Sequence, residues 1–328
     1  MEADILTWFD DARRDLPWRD PAVTGWHVLI SEIMLQQTPV SRVVEPWQDW
    51  VRRWPVPSAM AAEPAGEVLR AWGKLGYPRR ALRLHDCSKV LAAQHDDRVP
   101  DDVDVLLGLP GIGDYTARAV ACFAYGQAVP VVDVNVRRVI ARAVHGREPG
   151  SPARGDLADA EALLPRDSSG APTAEAPVFS AALMELGALV CTARNPKCEE
   201  CPIADQCRWL ARGRPSYDGP PRRTQKYEGT DRQARGKLLD VLRGSSGPVD
   251  RAALDAAWTR DPGQRDRALD SLLTDGLVEL TPPASSPPRR IPTLSPPARV
   301  ASRDPISKSR AGPRKRRVNR VAKCGRQP

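Results

Sequence analysis

Long apolar runs are missing from this sequence of 328 residues. No stretch reaches the roughly 18 residues that a membrane-spanning helix needs, so no membrane partner is expected. The opening MEADILTWFDDARRD is acidic and has no apolar core, so no secretory leader is expected and a cytoplasmic protein is. Acids are nearly missing from residues 281–328, which hold 13 Lys and Arg against the single Asp304. The net charge of +8 therefore belongs to that tail, since residues 1–280 carry 36 basic and 40 acidic side chains. Bulk charge thus gives no warrant for a polyanion-binding fold. Strand-like alternation is scarce as well, which argues against a sheet protein. The hydrophobic share, 41%, is ordinary for a chain that buries a large core in about two domains.

Helical spacing fills residues 1–212. SEIMLQQT, AGEVLRAWGKL, RALRLHDCSKVLAAQ, YTARAVACFAY and VNVRRVIARAV all repeat apolar residues at three-to-four intervals, between punctuating Gly and Pro. The pattern predicts an all-α body of about ten short helices, with one short helix among the loops of 148–177. Residues 213–231 read as a linker. Residues 232–280 read as three helices, RQARGKLLDVLR, DRAALDAAWT and GQRDRALDSLLTDG, followed by a strand, LVEL. That order resembles a winged-helix module; a packing module that never touches DNA is the alternative. Residues 281–328, rich in Pro, Ser and Arg, are expected to be disordered, and the run Arg314–Arg317 suits nonspecific polyanion binding or simple solvation.

Two local patterns carry chemistry. LPGIGDYTARA, Leu109 to Ala119, places two glycines two apart. It has no third glycine of a dinucleotide-binding turn and no Gly-Lys-Ser/Thr of a P-loop. What remains is a helix, a tight turn and a second helix. Gly111 and Gly113 are expected to take positive φ, and the amides that follow suit one backbone phosphate. A plain helix–helix turn is the alternative. The second pattern, CTARNPKCEECPIADQC, spaces Cys191, Cys198, Cys201 and Cys207 as C-x6-C-x2-C-x5-C. Four thiols this close, in a chain with no secretory leader, read as a metal site rather than disulfides. Zinc and a [4Fe–4S] cluster are both chemically open; a single C-x2-C pair with unequal outer spacings fits the cluster better. Cys87 and Cys122 sit in apolar helical stretches and read as buried structural thiols.

Together LPGIG, the downstream Asp of PVVDVNV and the cysteine spacing resemble the iron–sulfur helix-hairpin-helix DNA glycosylases over about residues 4–210. LPWR, SEIMLQQTPV, LGYPRRALRLH and FSAALMELGALVC are similar to the MutY-type adenine DNA glycosylases among them. The resemblance implies a two-lobed fold, a helical barrel lobe and an iron–sulfur lobe, with a [4Fe–4S] module at 191–207. It implies a monomer acting at the nucleoid on double-stranded DNA that contains adenine opposite oxidised or normal guanine. A related thymine or uracil glycosylase, or a noncatalytic DNA-binding protein of the same fold, is the competing reading. The Nudix-like C-terminal domain found in many family members has no counterpart in 213–328.

Glu32 lies in WHVLISEIMLQQ, apolar on nearly every face and sharing a face with Val28 and Leu35. Desolvation there favours the protonated carboxyl, which suits a general acid; a solvent-facing glutamate is the plain alternative. The resemblance makes Glu32 the residue that protonates adenine and helps activate water. Asp133 precedes a helix and reads as an N-cap, a role compatible with facing a cleft. By resemblance it steadies the oxocarbenium-like sugar, with Asn135 as the family's neighbouring Asn and Val134 where the family often has Gly or Thr. Tyr115 stands where strand-cutting relatives carry a Schiff-base lysine, which implies base removal by water alone. Its alternative is packing. The resemblance further gives Trp18 and Arg19 to the flipped adenine, Gln36 and Gln37 to the opposite base, and Leu109, Gly111 and Gly113 to DNA. Trp18 also reads as ordinary core, and the two glutamines as a polar helix end.

Overall fold

The computed structural model describes residues 1–220, 227–281 and 291–293, the last three by backbone alone. Contacts divide the chain into Met1–Pro297 and Ala298–Pro328, and the second unit falls outside the described residues. Within 1–212 the described helices are α1 (Glu2–Ala12), α2 (Gly25–Leu35), α3 (Val44–Arg53), α4 (Pro57–Ala61), α5 (Ala65–Trp72), α6 (Arg79–Gln94), α7 (Val103–Leu107), α8 (Asp114–Tyr125), α9 (Val134–Ala143), α10 (Gly155–Glu161), α11 (Ala176–Leu189) and α12 (Arg208–Ala211). Twelve replace the expected ten because short turns such as α4, started by Pro57 at its first position, carry too little periodicity to read. None of the described helices is long and apolar enough to cross a membrane.

Two cores result. The first gathers α2 to α8 around tryptophans, with Trp50 edge-on to Trp54 at 4.8 Å and to Trp72 at 5.4 Å. The second joins the N-terminal α1 to α9, α10 and α11 through Ile5, Phe9, Val139, Ile140, Ala160, Phe179 and Leu183, and the cysteine segment packs on it. Between them a small cluster of Ala119, Cys122 and Val131 takes in Tyr115 from α8 and Met184 from α11. The candidate site forms at this seam. Cys87 and Cys122 are buried, as expected, and burial pushes both thiols up to about 12. The apolar run before Asp133 forms no strand.

The C-terminal helices are α13 (Asp231–Arg243), α14 (Arg251–Ala257) and α15 (Pro262–Thr274). The strand expected at 277–280 lies instead at Glu279–Thr281 (β1), because Leu277 and Val278 are drawn into the core. It pairs antiparallel with β2 (Ile291–Thr293), Glu279 facing Thr293. Residues 291–293 thus depart from the expectation of a structureless 281–328; the rest of that call, 282–290 and 294–328 with Arg314–Arg317, lies outside the described residues, as do 221–226 of the linker. Leu238, Leu242, Leu254, Trp258, Leu269 and Leu272 belong to the same continuous core as the first lobe. Arg79–Asp275 at 3.4 Å and Arg70 Nη2 donating to the Ser245 carbonyl at 3.3 Å cross the same junction. On α15, Arg265 is paired with Asp255 and Asp266, and Arg267 and Asp270 are exposed.

Candidate active site

Helix α2 is buried from Trp26 to Met34, and Glu32 with it, at 6% exposure. Its Oε2 has no hydrogen-bond partner. Burial raises the Glu32 carboxyl to about 7; the neighbouring Tyr115 hydroxyl pulls the other way, and the charge of Asp133 adds to the rise. Tyr115 is itself pushed well above its ordinary value by burial and by both carboxylates. It therefore stays neutral. Glu32, Tyr115 and Asp133 are thus within electrostatic reach of one another at the seam.

Asp133 caps α9. Its Oδ1 accepts from the backbone N–H of Asn135 (2.8 Å) and Val136 (2.7 Å), and its Oδ2 accepts from Asn135 Nδ2 at 2.7 Å. Burial raises the carboxyl from its ordinary range while these donors oppose the rise. The helix N-terminus and the Asn135 side chain thus hold the Asp133 carboxyl in place. Asn135 is a brace: its Oδ1 accepts from Arg138 Nη2 at 2.7 Å, and Arg138 Nε donates to the Cys191 carbonyl at 2.5 Å. Hydrogen bonds so connect Asp133 to the cysteine segment. Gly187 on α11 makes room for this, since a Cβ there would stand 2.7 Å from Asn135 Cβ and 2.8 Å from its carbonyl oxygen.

The hairpin is α7, the turn Gly108–Gly113, and α8. Gly111 has φ +79°, and a Cβ there would meet Arg83 Cβ at 2.7 Å. Gly113 departs from the expectation: it is the N-cap of α8 with φ −106°, an ordinary extended conformation. Its surroundings are open, so the first amides of α8 stay accessible. The Leu109 side chain is 4% exposed and belongs to the first core. It anchors the turn from beneath, with Ile112.

Gln36 and Gln37 follow the last turn of α2. Gln36 Nε2 donates to Thr116 Oγ1 on α8 at 3.4 Å, while Gln37 is exposed with a left-handed φ of +54°. The two thus differ: one ties helices, the other presents a side chain. Trp18 packs edge-on to Trp47 at 5.8 Å and is partly buried, so the core reading describes much of it. Arg19 donates to Glu185 Oε2 (2.9 Å) and to the Arg14 carbonyl (3.0 Å).

Glu185 escaped sequence reasoning. It is 1% exposed and accepts a two-pronged contact from Arg14 as well. Burial alone would raise it, but hydrogen bonds from Arg14 and Arg19 outweigh burial and hold it at about 2. Its apolar helix offered the same signal as that of Glu32.

Cys191, Cys198, Cys201 and Cys207 are free thiols lining one pocket with Val190, Pro196 and Trp209. Arg142 Nη1 donates to Cys191 Sγ at 3.5 Å, and the guanidinium lies over Trp209 at 4.5 Å. Among the described residues no three His, Cys, Asp or Glu side chains close on a single-ion site. Four thiols ringing an apolar pocket beside a cation fit a larger anionic cluster.

Residues 30–152 match the HhH-GPD superfamily base excision DNA repair proteins, and residues 191–207 match the iron–sulfur binding domain of endonuclease III. The chain is 61% identical over 282 residues to the adenine DNA glycosylase of Mycobacterium tuberculosis, covering 85% of this chain and 90% of that one. Against the adenine DNA glycosylase of Mycolicibacterium smegmatis it is 63% identical over 278 residues, covering 85% and 92%. Among solved structures, a thermostable thymine-DNA glycosylase superposes with TM-score 0.57 at 29% identity, covering 64% of this chain and 95% of that chain. Endonuclease III in a non-covalent DNA complex gives 0.55 at 23% identity, covering 65% and 94%, a likeness of fold. The two-lobed helical fold carries a [4Fe–4S] cluster at its four cysteines, and the chain belongs to the adenine DNA glycosylases of base excision repair.

Proposed function

We propose that the protein, acting as a monomer at the nucleoid, removes adenine mispaired with 8-oxoguanine or guanine from double-stranded DNA without cutting the strand. The observation that carries the residue assignments is a buried glutamic acid and a braced aspartate meeting one tyrosine at the lobe seam. Amides after Gly111 take a backbone phosphate without reading sequence. The adenine leaves the stack to reach the seam. The protonated form of Glu32, which its raised value keeps populated at neutral pH, gives its proton to a ring nitrogen of the leaving base. The electron pair of the C1′–N9 bond departs with adenine. Asp133 faces the cationic sugar, its charge held in place by α9 and Asn135. Water adds to C1′ and passes a proton to Glu32, which restores the acid. Free adenine and an abasic site result. Tyr115 has no amine, so no Schiff base forms and the strand stays whole.

Arg19 is available to the flipped base only at the edge not turned to Glu185, with Trp18 beside it. Gln37, exposed on its left-handed turn, probes the opposite base, and Gln36 fixes that turn to α8. Cys191, Cys198, Cys201 and Cys207 would hold the cluster, which would tie residues 191–207 together. The reading is tested by base release from a panel of duplexes, each with one mispair. Adenine release should be fastest opposite 8-oxoguanine, then guanine, with none from paired A·T. Equal release from every duplex, or release of thymine from G·T in its place, would overturn it.

A further inference from the structure

Arg80 is 8% exposed, and among the described residues no carboxylate is paired with it. Its two terminal nitrogens are spent on oxygen dipoles, while the buried Nε has no partner. Nη1 donates to the carbonyls of Ile33 (2.8 Å), Met34 (3.1 Å) and Gln36. Nη2 donates to Thr38 Oγ1 (3.1 Å) and to the carbonyls of Leu75 (3.3 Å) and Gly76 (3.0 Å). Three of these acceptors are at or just beyond the end of α2, where helices leave carbonyls unmet and where the dipole favours a cation. Helix α2 has no left-handed glycine cap; its C-cap is Gln36 at φ −55°, and Arg80 from α6 does the capping instead.

Both segments that Arg80 grips carry strain. Gln37 has φ +54° and Tyr77 has φ +47°, each a side chain in a conformation that favours glycine. The guanidinium stacks on Trp72 at 5.0 Å and on Tyr77 at 5.6 Å. Arg232 of α13 lies over the same Tyr77 ring at 4.9 Å, so the C-terminal unit rests on this turn. Thr38 Oγ1 also lies 3.3 Å from the Leu75 carbonyl, a second tie between the two segments.

We propose that Arg80 is a positioning residue for discrimination at the opposite base: one buried fork locks the end of α2 to the Leu75–Gly76 turn and so holds Gln37 in its left-handed pose. The proposal rests on the reading of Gln37 as the opposite-base probe. A lysine in place of Arg80 has one nitrogen and cannot span both sets of carbonyls. Arg80 reaches the α2 end beyond Glu32, so loosening it should move the probe more than the acid.

The test measures single-turnover adenine release and duplex affinity for A·8-oxoguanine and A·G, using full-length holoprotein of wild type, Arg80→Lys, Thr38→Val and Gln37→Ala. Arg80→Lys should cut the rate preference for 8-oxoguanine by about tenfold or more, the scale of a small misplacement, while the pH profile of release keeps its alkaline limb. Thr38→Val, which removes one acceptor and keeps side-chain volume, should move the preference the same way by less. It carries the test if Arg80→Lys does not fold. A wild-type preference in both variants, beside an altered one in Gln37→Ala, overturns the proposal alone. An equal slowing on both duplexes with a shifted pH profile overturns it too, since that is general loosening. A wild-type preference in Gln37→Ala instead overturns the probe reading beneath it.

Discussion

Glu32 is a carboxyl whose environment sets its charge, and two measurable consequences follow with opposite demands. As a proton donor it must be protonated, so release should fall as pH rises through about 7. Asp133 must be ionised, and since burial raises it, the acid limb should lie above the ordinary aspartate range. For stability the sign runs with the raised value: the Glu32 contribution is fully present below its unfolded value and is lost as pH rises through about 7. Glu32→Gln removes that loss. It should gain about 3 kcal/mol over wild type in urea unfolding at pH 8, and nothing at pH 4. Glu32 was legible because one acid amid an apolar helix is a visible anomaly. Glu185 sits in an equally apolar helix, but its partners Arg14 and Arg19 are 171 and 166 positions away, and no local window joins them.

Elements were legible where periodicity is long and illegible where backbone conformation decides. The hairpin helices follow from spacing, but two glycines in LPGIG look alike on paper. Only the fold, by bringing Arg83 against the turn, shows that Gly111 needs positive φ and Gly113 does not. Gly111→Ala should therefore cost about 1–2 kcal/mol and weaken duplex affinity, whereas Gly113→Ala should leave stability within about 0.5 kcal/mol of wild type. Thermal unfolding and a binding titration check both. The same limit explains β1: LVEL reads as a strand, yet the long-range core claims Leu277 and Val278 first.

At the scale of the molecule, the cysteine spacing announced a metal site, and the fold gives it a setting. Arg138 and Arg142 reach from α9 to Cys191, so the segment that holds the cluster also braces Asn135 and Asp133. Purified holoprotein should be brown, with about four irons per chain. Removal of iron should lower the melting temperature and slow adenine release together; colourless, active protein with stoichiometric zinc would contradict the cluster. The junction of the C-terminal unit with the first lobe was not legible, because helix order alone suits both a DNA reader and a packing module. Its apolar residues, Leu238 to Val278, settle into the lobe's own core.

The most direct measurement is single-turnover adenine release by Glu32→Gln, set beside its affinity for the same duplex. The account predicts near wild-type affinity and a rate lowered by at least about 10²-fold to 10⁴-fold, the share of a general acid. Rapid release by that variant, at a rate near wild type and with an unchanged alkaline limb, would contradict it.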